Sequence, residues 1–263
     1  MTDATPPSST SIRLVGAIAV EAALAAGRRE AMAVHVDAAM DFRKLEPVRR
    51  AAKARGLEMQ RRDRGELDAM AGDDKHGGVI AEVGPRPFES LQELLNASGG
   101  ERVFIVMLDG VEDPFNFGQA IRSLYAAGCH GVVVRPRNWA APAPGSKASG
   151  AEAIVARASA GTSEFMPMAI AETPEEAAGF FASKNVAVVA TADDASSQSL
   201  YDTDLTGPTF LLIGGEKRGV KRAMLDRADR VVHIPYGRPF EHALGTVAAA
   251  TVLGFELARQ RRG

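Results

Sequence analysis

Three short stretches carry residues whose types and spacing could do chemistry. In "DPFNFGQAIR" (113–122), Gly118 and Arg122 lie four residues apart, so on a helix they stack on one face. Long helical side chains lean towards the N-terminus, which lays the Arg122 guanidinium over Gly118 near the positive end of the helix. Such a place suits a phosphate or an oxyanion. Asn116 has two readings: a helix N-cap with Gln119 as its capping-box partner, or a polar group of a site. In "GGEKRG" (214–219), glycines permit close backbone approach to a ligand beside the Glu216 carboxylate, and a tight strand-to-helix turn explains them equally well. The pattern is neither a GxGxxG nor a P-loop. The third stretch, "HIPYGRPFEHALG" (233–245), brings Arg238 and His242 close to the start of the last helix.

These stretches need elements to position them. Near-continuous apolar runs at 102–110, 131–136, 186–191, 209–215 and 231–235 read as strands buried in a parallel sheet. Helices are expected at 113–128, about 149–158, 174–183 (Thr173 as N-cap, Pro174 first, Glu176 closing the box), 220–228 and 243–260. Strand–helix alternation makes this an α/β, doubly wound parallel sheet, and all three stretches then fall beyond carboxyl ends of strands, where such sheets bind ligands. Ahead of it, helices at 12–26, 45–56 and 66–72 alternate with strands at 31–36 and 77–83, with a brief extended piece at 57–60. That makes a small α/β domain, closed by the proline-containing linker 84–90. The expected boundaries are a disordered tail at 1–11, a first domain at 12–90 and a second at 100–263. The loop 135–150, with Trp139, is long enough to be functional.

Composition excludes several classes. No apolar run approaches the roughly 20 residues of a membrane span, and the polar N-terminus lacks the order of a secretory signal. The single cysteine, Cys129, excludes an internal disulfide, and no His/Cys group has metal-ligand spacing. A cytoplasmic protein without a structural metal is the expectation. Net charge is −2, but residues 43–64 hold nine basic against three acidic residues, a local +6 able to hold phosphates or to form an ordinary solvated face. Arg49, Arg50, Arg61 and Arg62 are its candidate RNA contacts.

"NFGQAIR", "GGEKRG" and "IPYG…ALGTVAAATVLGFE", in this order and with "RASAG" at 157–161, resemble the three motifs of the SpoU (TrmH) branch of the SPOUT methyltransferases over about 102–260. "VEAALAAGR" and "HGGVIAEV" resemble the ends of the small ribosomal-protein-like RNA-binding domain that often precedes it. The resemblance implies a deep trefoil knot, bound S-adenosylmethionine, a homodimer, and methylation of a ribose 2′-hydroxyl in rRNA or tRNA. It places Asn116, Arg122 and Glu216 in the catalytic centre, and Thr191, Gly214, Gly215, Gly219, Ile234 and Leu244 at the cofactor. A guanidinium is a poor base, so Arg122 is expected to orient the ribose or phosphate and to stabilise developing negative charge.

The third motif departs from the family pattern. The Ser-Leu-Asn-Val-Ser core is missing, and Leu244, Gly245 and Val247 stand where its polar groups would be. Three readings stand: compensation by His242 or Arg238, a different substrate, or a knotted RNA-binding protein that keeps the fold without turnover. A Rossmann enzyme is disfavoured by the missing glycine fingerprint.

Overall fold

The computed structural model describes residues 11–72, 75–100, 102–136, 149–194, 196–215 and 218–262. The N-terminal tail, Trp139 and Glu216 fall outside them. In chain order the strands and helices are β1 (Ile12–Val15), α1 (Ala17–Ala26), β2 (Ala31–Asp37), α2 (Glu46–Ala54), β3 (Met59–Arg62), α3 (Arg64–Ala71), β4 (Val79–Val83), α4 (Leu91–Ala97), β5 (Phe104–Asp109), α5 (Pro114–Ala126) and β6 (Gly131–Val134). There follow α6 (Ser149–Ala158), α7 (Thr162–Phe165), β7 (Met168–Ile170), α8 (Pro174–Ser183), β8 (Ala187–Thr191), β9 (Gln198–Ser199), β10 (Thr209–Gly214), α9 (Arg222–Leu225), β11 (Arg230–His233) and α10 (Thr246–Gln260).

The described residues form two compact units, one of residues up to 87 with 149–165, the other of 88–136 with 166–262. In the first, a four-stranded mixed sheet of order β1-β4-β2-β3 packs its apolar side chains with α1, α2 and α6. The stretch 12–26, expected as one helix, is a strand and a helix. Ile12–Val15 pair antiparallel with Val83–Ile80, and Gly16, at φ 93°, turns the chain into α1. A period-2 strand of four residues is too short to stand out beside ten residues of helix formers. His76 is buried between two fixed partners. Its Nδ1 accepts from the Gly78 amide at 3.1 Å, so Nε2 carries the proton towards Asp68 at 2.8 Å.

The helices at 149–165 are held in this unit by buried charge. Arg29 reaches Glu164 at 2.7 Å and Glu152 at 2.5 Å, while Arg86 donates to the other Glu164 oxygen at 2.6 Å and to the Ser163 carbonyl at 2.5 Å. All four charged side chains are buried. Burial pushes the Glu164 carboxyl up, but the Arg86 and Arg29 guanidiniums outweigh it and hold the group below its ordinary value.

In the second unit, seven parallel strands run in the order β7-β6-β5-β10-β8-β11-β9. The expected α/β parallel sheet is present. Phe104–Leu108 of β5 and Thr209–Ile213 of β10 are buried throughout, as central parallel strands require. Thr173 caps α8 by accepting from the Glu176 amide at 3.1 Å, whereas the Glu176 carboxylate reaches one residue further back, to the Glu172 amide. The helix expected at 220–228 shrinks to Arg222–Leu225, and α10 begins at Thr246 rather than 243, after Gly245. α4 was not anticipated, although its Ser90–Glu93 capping box is written in the sequence.

Two expectations follow. Glu164→Gln leaves two buried guanidiniums undercompensated and should cost about 3–5 kcal/mol in urea unfolding. Because the folded carboxyl titrates below the ordinary glutamate value, its contribution is complete above that value and is lost as pH falls through the folded one, so the wild-type advantage over the variant should shrink in acid. Burial pushes the Cys129 thiol up to about 12, so a disulfide reagent at pH 8 should label it only after denaturation.

Candidate active site

The first motif begins one turn earlier than its asparagine suggests. Asp113, not Asn116, is the N-cap of α5: its carboxylate accepts from the Asn116 amide at 2.9 Å, and Pro114 takes the first helical position. Asn116 sits in the third position with its side-chain amide uncommitted to the cap. Gly118 is buried, and Arg122 is exposed, with no hydrogen bond or ion pair among the described residues. The charge of Arg122 is therefore available to a ligand.

The second motif is shaped by the chain's own crossing. Register pairs Gly214 of β10 with Asp109 of β5, which sets Gly215 against Gly110 at the ends of the two central strands. Gly110 has φ 79° and its carbonyl faces Gly215 so closely that a Cβ there would stand 2.5 Å from the oxygen. A Cβ on Gly214 would stand 2.5 Å from the Val220 nitrogen, and the Gly219 amide donates to the Gly215 carbonyl at 2.9 Å. These glycines exist for backbone-to-backbone contact first. At Gly214 and Gly215 there is no room for a side chain.

Beyond the carboxyl ends of β8, β10 and β11 lies a cavity of about 200 Å³. Thr191, Gly214, Gly215, Gly219, Ile234 and Leu244 all line it. Four separate segments of chain thus deliver the six expected cofactor positions to one place. Ile213, Val232 and, from α10, Leu253 add apolar wall. Asn116 and Arg122 are not among its lining residues; they belong to the helix that follows the neighbouring strand β5.

Lining residues that the motifs do not point to include Asp193, His233 and Tyr236. Asp193 stands two residues past β8 and contributes the carboxylate of the described lining. His233 ends β11, and its Nδ1 lies 2.9 Å from the Ser197 hydroxyl. That hydroxyl also lies 2.7 Å from the Asp194 carbonyl, which ties the ring to the turn after β8. Tyr236 accepts from the Leu244 amide at 3.2 Å through its hydroxyl, closing the segment on itself. Only position after a strand could have flagged Asp193.

The basic stretch of the first unit is more neutralised than its tally. Arg49 is held in two hydrogen bonds by Glu46 at 2.7 and 2.8 Å, Arg62 lies 3.6 Å from Glu66, and the Arg61 guanidinium sits 4.2 Å from the centre of the exposed Phe42 ring. Arg50 is exposed without a hydrogen bond or ion pair among the described residues. No group of three metal-ligating side chains occurs among the described residues, and no described helix is long and apolar enough to cross a membrane.

A parallel α/β sheet with a glycine-walled, largely apolar cavity past its strand ends defines a protein built to hold a nucleotide-like ligand. The comparisons with known proteins are more particular. Residues 103–244 match the model of the SpoU rRNA Methylase family, and residues 13–89 match that of RNA 2′-O ribose methyltransferase substrate binding. The 23S rRNA (guanosine-2′-O-)-methyltransferase RlmB of Ralstonia nicotianae is 33% identical over 254 residues, covering 96% of this chain and 97% of that one. Its namesake in Pectobacterium atrosepticum is 30% identical over 95% and 98%. The SpoU methyltransferase AviRb of Streptomyces viridochromogenes, crystallised with AdoMet, has the same fold at a TM-score of 0.75 and 23% identity, over 96% of this chain and 91% of that one. The chain belongs to the SpoU rRNA methylase family.

The glycine crossing is testable against an internal control. Gly215→Ala meets backbone and should cost about 1–3 kcal/mol in urea unfolding. Gly179→Ala, in α8 with nothing within 4 Å of the added carbon, should be neutral or gain roughly 0.5–1 kcal/mol.

Proposed function

We propose that this protein transfers the methyl group of S-adenosylmethionine to a ribose 2′-hydroxyl of RNA, with a guanosine of 23S rRNA as the first substrate to test. The observation that carries the reading is the convergence of Thr191, Gly214, Gly215, Gly219, Ile234 and Leu244 on one cavity. The donor set fits the cofactor: apolar Ile213, Ile234 and Leu253 suit an adenine, and the Asp193 carboxylate suits the hydroxyls of its ribose. When bound, that cofactor supplies an electrophilic methyl group. Glu216, outside the described residues, has its proposed place at this cofactor.

Most of the rate then comes from positioning the hydroxyl in line. Asn116, released from capping by Asp113, orients the target nucleotide with its amide. The Arg122 guanidinium holds the ribose or the adjoining phosphate and stabilises charge developing on the oxygen. Neither needs to touch the cofactor, which agrees with their place beside rather than within the cavity lining. The first unit binds the RNA as a ribosomal-protein-like module, through Arg49, Arg50, Arg61 and Arg62 with Arg50 the least committed. The protein works in the cytoplasm, where such an RNA is met.

The chain also threads a trefoil knot in this reading. Supporting it, β10 enters between β5 and β8, and β11 between β8 and β9, each filling a gap between strands that precede it in the chain. A homodimer forms through the packed pair α5 and α10, supported by the exposed rings of Phe115 and Phe255 on these helices.

Arg122→Ala should lower kcat/KM on an unmodified 23S rRNA transcript by about 10²-fold or more, with S-adenosylmethionine affinity by calorimetry unchanged. Full methyl transfer by the variant would remove Arg122 from the mechanism.

A further inference from the structure

The third motif departs from its family where the chain reads "PYGRPFEHA", and this departure has a structure. Residues 235–243 are exposed along their whole length. Within them the Tyr236 and Phe240 rings meet edge to face at 5.7 Å, and Phe240 and His242 do so at 5.6 Å. Phe240 remains 52% exposed and Tyr236 36%. The cluster is braced at both ends. Tyr236 ties its hydroxyl to the Leu244 amide, and Pro235 and Pro239 restrict the backbone between. Tyr236, Ala243 and Leu244 also line the cavity, so the Tyr236 ring stands at its rim, with Phe240 packed on it and His242 on Phe240.

Three exposed rings packed on one another beside a cavity cost little entropy on meeting a flat partner. We propose that Tyr236, Phe240 and His242 form a stacking platform for a nucleobase of the RNA, with Phe240 offering the open face and Tyr236 and His242 fixing its ring. This rests on the methyl-transfer reading given above. Stacking on aromatic side chains is how unpaired bases are generally held, and a ribose can reach a methyl donor only if its nucleotide is held at the cavity mouth. The composition suits a base better than a protein surface: no branched aliphatic side chain is exposed between 235 and 243, and Arg238 and Glu241 flank the rings. In place of the polar groups absent at Leu244, Gly245 and Val247, the nucleotide is held by its face rather than by hydrogen bonds.

The test uses full-length protein and an unmodified 23S rRNA transcript, with filter-binding Kd, steady-state kinetics, cofactor calorimetry and light scattering. Phe240→Ala should raise both the Kd and the KM for the transcript about tenfold, the loss of one stacked base, with kcat within about twofold. Cofactor affinity and particle mass should stay as in the wild type. Phe240→Trp should restore binding and Phe240→Leu should not. Unchanged transcript binding in Phe240→Ala, or full rescue by Leu, would overturn the platform. A change in particle mass would instead make the cluster an interface between copies of the chain. If the wild type binds the transcript but does not methylate it, the methyl-transfer reading fails while the effect of Phe240→Ala on Kd still decides the platform.

Discussion

The crossing of backbone on backbone at the ends of β5 and β10 is the constraint on which the rest of the second unit depends. Two central parallel strands end side by side, and the chain must leave both without its turns colliding. Gly110 and Gly215 meet carbonyl to α-carbon, and Gly214 lies against Gly219 and Val220. Any side chain there would push the turns apart. With the turns closed, the ends of β8, β10 and β11 and the first turns of α10 enclose a cavity. Glycine thus acts through space filled by protein as much as through space left for a ligand.

Around that crossing, polar groups are assigned by simple competition. Asp113 takes the cap of α5, which frees Asn116, and Ser197 takes Nδ1 of His233. Tyr236 takes the Leu244 amide. Each contact commits one group and leaves its neighbour available. The altered third motif is consistent with this division. Its lost polar side chains are matched by a braced aromatic segment rather than by an empty gap.

The first unit solves a different problem. Helices from residues 149–165 join a sheet built from residues 12–83, a separation that makes local sequence pattern useless as a guide. Two arginines and two glutamates buried together supply the fixed geometry, since each charge is tolerable only when its partners are in place. Leu14, Val20, Val34 and Ala156 share the apolar core beside them.

Much was legible in the residues themselves. The five apolar runs of the parallel sheet and the Thr173–Pro174 start of α8 follow from periodicity and capping chemistry, both local properties, whereas the six expected cofactor positions came from the family resemblance that the ordered motifs carry. Asp113–Pro114 is equally legible as a helix start, and Asn116 with Gln119 offers a competing cap three residues on. Short elements were lost, Ile12–Val15 above all, because four residues of alternation cannot outweigh a neighbouring helix. The sequence by itself determined which residues could bind, cap and bury. Only the tertiary structure decided that Gly215 meets Gly110, that Arg29 and Arg86 meet Glu152 and Glu164, and that Tyr236 closes on Leu244. Those are contacts between groups separated along the chain or paired by side-chain direction, and no local pattern encodes a distance.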